Sequence, residues 1–439
     1  MRNLSSDQLR LQEFLLNRGP ATSLEIQLYL GKSQSSISRL LAGMPESIAR
    51  LGQARSTRYS IQKSIHGLPF QHALFRTDIS GRATPIGHLK FLANDTVHVE
   101  TPWFETTTQG LPWYLAPWRM AGFLGRIHAR RLQPQGLDAN PDRWTTEDVL
   151  YSALQLSDHP GALELGDQSR IEPLPTLRQG DMLDKLLDRL ATGVASTLPA
   201  GSSAEGEQPK FLANFENRDQ SLLQAVLVKF SPPLDTPFGQ RWHDLLLAEA
   251  LAGSVLNEHG IPAAIGYFHT TRSRAYLLSP RFDRIGMRGR RHVVSIGAAH
   301  QGLVTGRYTH WADTAQSLQA LKRLSRIDAE RVRFVLYFGR LIGNTDMHEG
   351  NLSLFIEPEQ LPQGTFALAP VYDMLPMIWR PNAHQALGET PFTPDARALG
   401  SSAAPAAREF WVQLADSVDV APSMRAAART MAGRCGPDG

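Results

Sequence analysis

The residues of this 439-residue chain that could do chemistry are concentrated near positions 346–373. Asp346 and Asn351 stand in the spacing D-x-x-x-x-N with His348 between them, and Asp373 follows another apolar run. A carboxylate can orient or deprotonate an acceptor hydroxyl, while an amide oxygen and a second carboxylate are hard ligands that suit Mg²⁺. This combination predicts a phosphotransferase site, with Asp346 as the catalytic residue and Asn351 and Asp373 as metal ligands. The D-x-x-x-x-N spacing alone arises about once by chance in such a chain, so the surrounding elements must decide.

Two apolar runs further upstream could position a nucleotide. Lys229 lies near the end of the run 225–230, which predicts a strand, and a helix is predicted at 241–258. A lysine that is fixed on a strand beside a helix can contact nucleotide phosphates. The run 276–284 predicts a second strand that leads into a polar connector containing Phe282. A kinase hinge, whose backbone would hydrogen-bond to adenine, would lie at this position. Each segment alone also fits an ordinary strand end, and it is their order that favours phosphoryl transfer.

The first 62 residues predict a small domain of helices and a hairpin. Apolar positions indicate a first helix that ends near Asn17, a second at 24–30 capped by Ser23, and a third at 34–44 capped by Ser33. Only three residues join the second and third helices, which is typical of a helix-turn-helix. The segments 47–51 and 57–61 predict a strand-turn-strand wing.

The predicted third helix and the turn before it suit double-stranded DNA. Their exposed face would present short polar donors and two cations, namely Lys32, Gln34, Ser35, Ser36, Ser38 and Arg39. Residues 1–62 hold eight Lys and Arg against four Asp and Glu, a net charge of +4, whereas the whole chain carries +3. Such donors match base edges and phosphates in a major groove, so we expect DNA binding through residues 1–62. A small helical adaptor with an ordinary polar face is the alternative.

The rest of the sequence is that of an ordinary soluble protein, with 42% hydrophobic and 20% charged residues. It has no apolar stretch of the roughly 18 residues that span a membrane and no signal-peptide core, so we expect a cytoplasmic protein without membrane contact. The single cysteine, Cys435, excludes an intramolecular disulfide. The remaining predictions are strands at 86–92 and 96–100, mainly helices over 111–195, and flexible loops at 196–209 and 394–408.

Taken together, the motifs resemble the HipA family, the serine/threonine-kinase toxins of bacterial toxin–antitoxin modules. The resemblance rests on the loop Thr345-Asp346-x-His348-x-x-Asn351 with the later Tyr372-Asp373, and it covers about residues 63–439. The segment 201–210 looks like the family's nucleotide-covering loop, and 281–284 resembles its post-hinge segment. The fused helix-turn-helix is similar to the YjjJ-like subgroup of that family.

The resemblance implies an α+β fold, a bilobal protein-kinase-like core of HipA type with an N-terminal winged helix-turn-helix domain. The implied domains are a winged helix-turn-helix at 1–62, a β-rich subdomain at 63–135, a kinase N-lobe-like region at 136–288 and a mostly helical C-lobe at 289–439. ATP and Mg²⁺ are the implied cofactors. Lys229 would contact the phosphates, His348 and Phe282 would line the nucleotide site, and Asn351 and Asp373 would hold Mg²⁺. Ser203 matches a serine whose autophosphorylation ejects the loop and switches the kinase off.

The resemblance also implies partners. A protein substrate is expected, with a translation-related one such as an aminoacyl-tRNA synthetase as the family's example. DNA binding on the same chain predicts repression of its own promoter, and a homodimer would suit a palindromic operator.

Two positions depart from the family pattern. Arg241, in the helix after Lys229, and Pro280, at the hinge, stand where acidic residues are expected, and Asp244 or Glu249 could pair with Lys229 instead. These departures favour an alternative, a DNA-binding transcriptional regulator whose kinase domain senses nucleotide and is catalytically weak. A small-molecule kinase of the aminoglycoside-phosphotransferase type is a third hypothesis, against which the 201–210 loop and the DNA-binding segment argue.

Overall fold

The structure is a computed structural model that describes residues 5–156, 158–166, 173–180, 182–197, 208–216, 223–381 and 391–436. No helix in these ranges is both long enough and apolar enough to cross a membrane. The described residues combine helices with mainly antiparallel sheets, which is the α+β class predicted from the sequence.

The N-terminal segment folds as three helices against a small antiparallel sheet, ordered β1-β3-β2. Its elements are α1 (Ser6–Arg18), β1 (Ala21–Thr22), α2 (Ser23–Leu30), α3 (Gln34–Ala42), β2 (Ile48–Leu51) and β3 (Arg58–Ile61), with a 3₁₀ turn at Ala54–Ser56. The predicted helices and both predicted strands are confirmed. Leu11, Leu15, Ile26 and Ile37 are fully buried, so this segment has its own apolar core.

The predicted caps of α2 and α3 need correction. The N-cap residue of α2 is Thr22, not Ser23, and it forms a capping box in which Glu25 reaches back to the Thr22 backbone. Ser33 does occupy the N-cap position of α3, but its side chain makes no capping hydrogen bond. Its hydroxyl lies instead 3.0 Å from the Ser35 hydroxyl. The Ser33 hydroxyl thus interacts with a neighbouring hydroxyl in place of a backbone N–H of the helix, and composition alone does not indicate this competition.

The middle segment is built on a second antiparallel sheet, ordered β7-β6-β5-β4-β8. Its elements are β4 (Gln71–Thr77), β5 (Ala83–Leu92), β6 (Thr96–Glu100), β7 (Glu105–Gln109), α4 (Gly122–Leu132), α5 (Thr146–Gln155) and β8 (Leu163–Leu165), with 3₁₀ turns at Trp113–Trp118, Gln133–Gln135 and Pro141–Arg143. The predicted strands at 86–92 and 96–100 are confirmed. Strand β8 lies beyond residue 135, where the sequence predicted a boundary, yet it pairs with β4.

A third sheet, ordered β12-β13-β11-β10-β9, carries the predicted lysine strand. Its elements and flanking helices are β9 (Thr176–Arg178), α6 (Leu183–Ser196), β10 (Lys210–Glu216), β11 (Leu223–Phe230), α7 (Pro237–Glu258), β12 (Tyr267–Thr270) and β13 (Ala275–Pro280). Leu183, Leu187 and Ala191 of α6 pack with Val226 and Val228 in one buried cluster of this sheet. The prediction of mainly helices over 111–195 was therefore only partly right, since β8 and β9 lie there as well.

The last part of the chain is mostly helical around two short hairpin-like sheets. Its elements are β14 (Arg284–Ile285), β15 (Gly289–Arg290), β16 (Val293–Ser295), α8 (Ile296–Leu303), α9 (Trp311–Ala320), α10 (Arg326–Leu341), β17 (Ser353–Phe355), β18 (Ala367–Leu368), α11 (Ala396–Leu399), α12 (Ala404–Asp416) and α13 (Pro422–Arg434), with 3₁₀ turns at Pro358–Gln360 and Met377–Trp379. The loop predicted at 394–408 was wrong, because α11 and the start of α12 lie there. Ala398, Ala406 and Ala407 are fully buried, and alanine has the highest helix propensity.

Candidate active site

Lys229 is held between two carboxylates at the end of β11. Its ammonium group donates to Glu249 Oε1 at 2.5 Å and Oε2 at 2.7 Å, and it also donates to Asp373 Oδ1. Glu249 lies on α7, so the helix that follows the lysine strand supplies the pairing acid. Of the two carboxylates considered from the sequence, Glu249 makes this contact, whereas Asp244 accepts from the Ala421 backbone N–H at 3.2 Å.

The D-x-x-x-x-N motif lies on an irregular loop between α10 and β17. Asn351 Nδ2 donates to the Asp346 carbonyl oxygen at 2.8 Å, which leaves the Asn351 Oδ1 atom to accept from or coordinate another group. Trp311, which is buried, donates from Nε1 to the His348 carbonyl oxygen at 2.9 Å and fixes the middle of the loop. The side chain of Asp346 remains exposed.

Asp373 is tied to this loop through Asn344. The buried Asn344 side chain donates from Nδ2 to the Asp373 carbonyl oxygen at 3.1 Å and accepts from the Asp346 N–H at 3.0 Å. Asp373 itself has a φ of 54°, a left-handed conformation that is uncommon outside glycine. The neighbouring Tyr372 hydroxyl donates to the Gly350 carbonyl oxygen at 3.0 Å. A strained backbone held by such contacts is frequent at functional sites.

Several buried charges interact around Lys229. Burial alone would lower the pKa of Lys229, but Asp373 and Glu249 raise it above its usual range, so the ammonium stays charged. Burial opposes ionisation of Asp373, yet Lys229 and Lys210 hold the pKa of that carboxyl below its usual range. Burial, helped by the nearby Asp373, raises the pKa of Glu249 against the attraction of Lys229. Lys229 thus contacts two carboxylates directly, and Lys210 adds a second positive charge near Asp373.

Two adjoining cavities share Asp373 as a lining residue. The first, of about 270 Å³, is largely apolar, is lined by Phe282, Leu212, Leu227 and Val293, and also reaches Lys229. The second, of about 600 Å³, is more polar than the first and is lined by Lys210, Asp346, His348 and Asn351, among others. An apolar slot thus adjoins a more polar chamber, and an apolar cavity with a few polar groups is typical of small-molecule sites.

Comparison with known proteins identifies the family to which the chain belongs. Residues 202–436 match the family model for the HipA-like C-terminal domain, and residues 68–173 match that for the YjjJ-like toxin, middle domain. The chain is 32% identical to toxin YjjJ of Escherichia coli strain K12 over 435 residues, which cover 95% of each protein. This protein belongs to the HipA-like family of YjjJ toxins.

A solved structure of HipA supports the fold. The chain is similar to Shewanella oneidensis MR-1 HipA, determined in a complex with HipB and its operator DNA, with a TM-score of 0.54 and 16% identity over 83% of this chain and 96% of that one. The Helicobacter pylori proinflammatory kinase CtkA is a weaker match, with a TM-score of 0.33 and 13% identity over 52% of this chain and 87% of that one. The α+β core of HipA type that the sequence predicted is confirmed.

The structure brings together most of the residues that the sequence singled out in the HipA-like region. Lys229, Phe282 and Asp373 line the smaller cavity, while His348 and Asn351 line the larger one with Asp346. The Phe282 ring lies 5.5 Å from the Tyr372 ring, centroid to centroid. Ser203 and most of the predicted nucleotide-covering loop lie outside the described residues.

Two further site residues were missed by the sequence reasoning. Lys210 is the direct cross-strand partner of Lys229, and burial lowers the pKa of Lys210 while Asp373 opposes that shift. Like charges directly opposite each other destabilise a sheet, so the pair indicates a site that receives negative charge. Asn344 is the other, since it connects the D-x-x-x-x-N loop to Asp373. A register-dependent pair has no signal in a single sequence, but Asn344 stands only two residues before Asp346 and could have been considered.

The two departures from the family pattern have structural contexts. Arg241 does not contact Lys229, because its guanidinium donates to the Trp379 carbonyl oxygen at 3.2 Å, and Glu249 supplies the carboxylate. Pro280 ends β13 and lines the smaller cavity, so it narrows the apolar slot without adding a charge.

The predicted DNA-binding residues lie together on the N-terminal segment. Gln34, Ser35, Ser38 and Arg39 are exposed on α3, and Ser36 is half-buried. Lys32, in the turn before α3, forms an ion pair with Asp7 at 2.7 Å. Arg39 Nε donates to the Ser35 carbonyl oxygen at 3.4 Å, which is a weak contact.

Proposed function

We propose that this YjjJ-type protein is an ATP- and Mg²⁺-dependent serine/threonine protein kinase that also binds double-stranded DNA through residues 1–62. The observation that carries the kinase proposal is the convergence of Lys229, Asp346, Asn351 and Asp373 on two adjoining cavities. This arrangement supports nucleotide binding in the apolar slot with its phosphates toward Lys229 and Lys210.

The oxygen atoms present fit a magnesium ion. Asp373 contributes a carboxylate whose pKa lies below its usual range, and the Asn351 amide, oriented by the hydrogen bond of its Nδ2 atom, offers its Oδ1 atom as a second ligand. Mg²⁺ is usually held by one or two such protein ligands together with phosphate oxygens and water. When bound there, the ion would neutralise charge on the phosphates.

The transfer step assigns one role to each of the chain's own groups. Asp346 accepts the proton of a serine or threonine hydroxyl as its oxygen attacks the γ-phosphorus. The bond from that phosphorus to the β–γ bridging oxygen breaks, and ADP leaves with the electron pair. Lys229 and Lys210 hold the phosphates, while Asn344 and Trp311 keep the D-x-x-x-x-N loop in place.

Ser203 is our proposed autophosphorylation site, on the resemblance of its segment to the family's nucleotide-covering loop. Purified protein is incubated with ATP and Mg²⁺ and analysed by mass spectrometry, with Asp346→Ala as the matched control. We expect phosphate on Ser203 in the parent and none in Asp346→Ala, with unchanged thermal stability because Asp346 is exposed. Equal phosphorylation of the two proteins would refute the role of Asp346.

The same assay separates the kinase from the alternative of a nucleotide-sensing regulator. Nucleotide binding without transfer to any protein would favour that regulator. The arrangement of Glu249 with Lys229 supports the kinase instead, since it removes one of the two departures that motivated the alternative. Transfer to a metabolite would point to a small-molecule kinase.

DNA binding by the N-terminal segment is supported by its charge, by the exposed face of α3, and by the family likeness to a HipA solved with HipB and operator DNA. Lys32→Ala combined with Arg39→Ala should weaken binding to promoter DNA and reduce its salt dependence, because two phosphate-contacting cations are lost. Fluorescence anisotropy at several salt concentrations measures both effects. Arg429→Ala, on α13, is the matched control, and undiminished binding by the double variant would place the DNA contact elsewhere.

A further inference from the structure

We propose that the YjjJ-like middle domain supplies a wall of the nucleotide cavity, and that Met120 and Leu124 of this domain determine how tightly nucleotide binds. The inference rests on the proposed function, because it adds residues to the same site. It goes beyond it by assigning part of the nucleotide-binding surface to a domain that precedes the HipA-like C-terminal domain at 202–436.

The first observation is where residues 120–124 lie. Met120 and Leu124 line the apolar cavity of about 270 Å³, together with Pro160 from the same domain. The residues between them, 121–123, line the polar cavity of about 600 Å³ that contains Asp346. One short segment therefore borders both the apolar cavity and the polar cavity. Met120 and Leu124 are half-buried, so each leaves apolar surface facing the slot.

The second observation is that the backbone of this segment is held firmly. Gly122 has a φ of 63°, a left-handed conformation that allows the chain to turn sharply into α4. Gly125 packs so closely that an added Cβ would lie 2.8 Å from the Met120 carbonyl carbon. The Gly125 N–H also donates to the Ala121 carbonyl oxygen at 3.2 Å. Met120 and Leu124 are thus presented to the slot by a rigid turn.

The third observation is a set of ionic contacts that join the middle domain to the segment after β13. Asp158 pairs with Arg281, and it pairs with Arg284 Nη2 at 2.5 Å. Arg284 Nη2 also donates to the His159 carbonyl oxygen at 2.6 Å. In the other direction, the Gly161 N–H donates to Asp283 Oδ2 at 3.0 Å. These contacts hold the middle-domain wall against residues 281–284, the segment that follows the proposed adenine-binding strand β13.

A base in the slot would therefore contact side chains from both domains. Removing apolar atoms from the middle-domain wall should weaken nucleotide binding without changing the groups that carry out transfer. Truncating both Met120 and Leu124 to alanine exposes apolar surface of the base to water, and each buried methylene group contributes measurably to affinity. A roughly tenfold loss of affinity is expected from this change.

The experiment measures ADP binding with Mg²⁺ by isothermal titration calorimetry on the full-length chain. Met120→Ala with Leu124→Ala should raise the Kd for ADP about tenfold. It should raise the ATP concentration that gives half-maximal autophosphorylation by a similar factor, with the maximal rate within about twofold. The conservative single variant Leu124→Met, in which methionine is close to leucine in volume, should bind ADP as tightly as the parent. Ile79→Ala is the matched control, because Ile79 belongs to the same domain but is 66% exposed and lines neither cavity.

A cavity-filling variant protects the test against a loss of stability in the truncated one. Leu124→Trp should block the slot and abolish ADP binding, while thermal unfolding checks that the protein stays folded. If the parent binds ADP and both the double truncation and Leu124→Trp bind it equally well, the inference is overturned and the proposed kinase function stands. If the parent binds no nucleotide, both are overturned.

Discussion

Two buried ionic clusters border the apolar cavity of about 270 Å³, and they differ in the ion pairs that each contains. The site cluster consists of Lys229, Glu249 and Asp373, one cation with two carboxylates. The junction cluster consists of Arg281, Arg284, Asp158 and Asp283, two cations with two carboxylates. Each joins segments that are more than a hundred residues apart, and both contribute residues to the lining of the same slot.

The difference separates a structural from a functional use of buried charge. In the junction cluster every carboxylate faces two arginines, and Asp283 also accepts a backbone N–H. Burial opposes ionisation of Asp158, but Arg281 and Arg284 hold the pKa of that carboxyl well below its usual range. A closed network of this kind can fix one domain against another. In the site cluster Asp373 contacts a single cation among the described residues, Lys229, and its carboxylate also lines both cavities, where the proposed metal ion would be bound.

The largest expected effect comes from removing charge in the site cluster. Asp373→Asn keeps the size of the side chain and an oxygen for Lys229, but it removes the proposed metal-ligating carboxylate. The rate of phosphotransfer should fall by at least about 10³-fold, because the substitution removes both a proposed metal ligand and its negative charge. The free energy of unfolding without nucleotide should change by no more than about 1 kcal/mol, since Lys229 keeps Glu249 as its partner.

Radiolabelled phosphate transfer and urea unfolding by circular dichroism give these two numbers. Asp416→Asn, at the C-terminal end of α12, serves as the control for an Asp-to-Asn change away from both clusters. A large loss of stability in Asp373→Asn would mean that the site cluster is as structural as the junction cluster.

The matched substitution in the junction cluster should have the opposite profile. Asp283→Asn removes the carboxylate shared by Arg281 and Arg284 and leaves two buried cations with one partner. Breaking such a pair costs about 3–5 kcal/mol, so the free energy of unfolding should fall by about that amount. Residual activity at low temperature, where the protein is still folded, should exceed that of Asp373→Asn. An Asp283→Asn protein as stable as the parent would show that the network contributes little.

The contrast also indicates what a single sequence can reveal. Asp346 and Asn351 were predictable because they lie on one loop, so their spacing directly encodes their geometry. The opposition of Lys210 and Lys229 depends on the register of β10 against β11, and a shift by one residue would remove it. Asp158 reaches Arg281 over more than a hundred residues, and only the packing of two domains brings them together. The fold class and the D-x-x-x-x-N loop were therefore predictable, whereas the wall and the junction cluster were not.

The smallest expected effect concerns a neutral group at the same junction. His292 donates from Nε2 to the Tyr114 carbonyl oxygen at 2.9 Å, and its Nδ1 accepts from the Ala162 N–H at 3.4 Å, so no site is left for a second proton. Burial lowers the pKa of His292 to about 4, against 6.5 in an unfolded chain. Because the unfolded state takes up the proton first, this contribution to stability is complete above pH 6.5 and is lost as the pH falls toward 4.

His292→Gln should make stability less sensitive to mild acid. Between about pH 7.5 and 5.5, the unfolded form of a single histidine gains close to one proton, which lowers the free energy of unfolding by about 1 kcal/mol. The variant, which cannot take up that proton, should lose about 1 kcal/mol less than the parent over this interval. Urea unfolding at the two pH values measures the difference, and this interval lies above the range where most carboxylates titrate. Equal losses of unfolding free energy in parent and variant would show that His292 takes up a proton in the folded state, and that the junction tolerates a charged histidine.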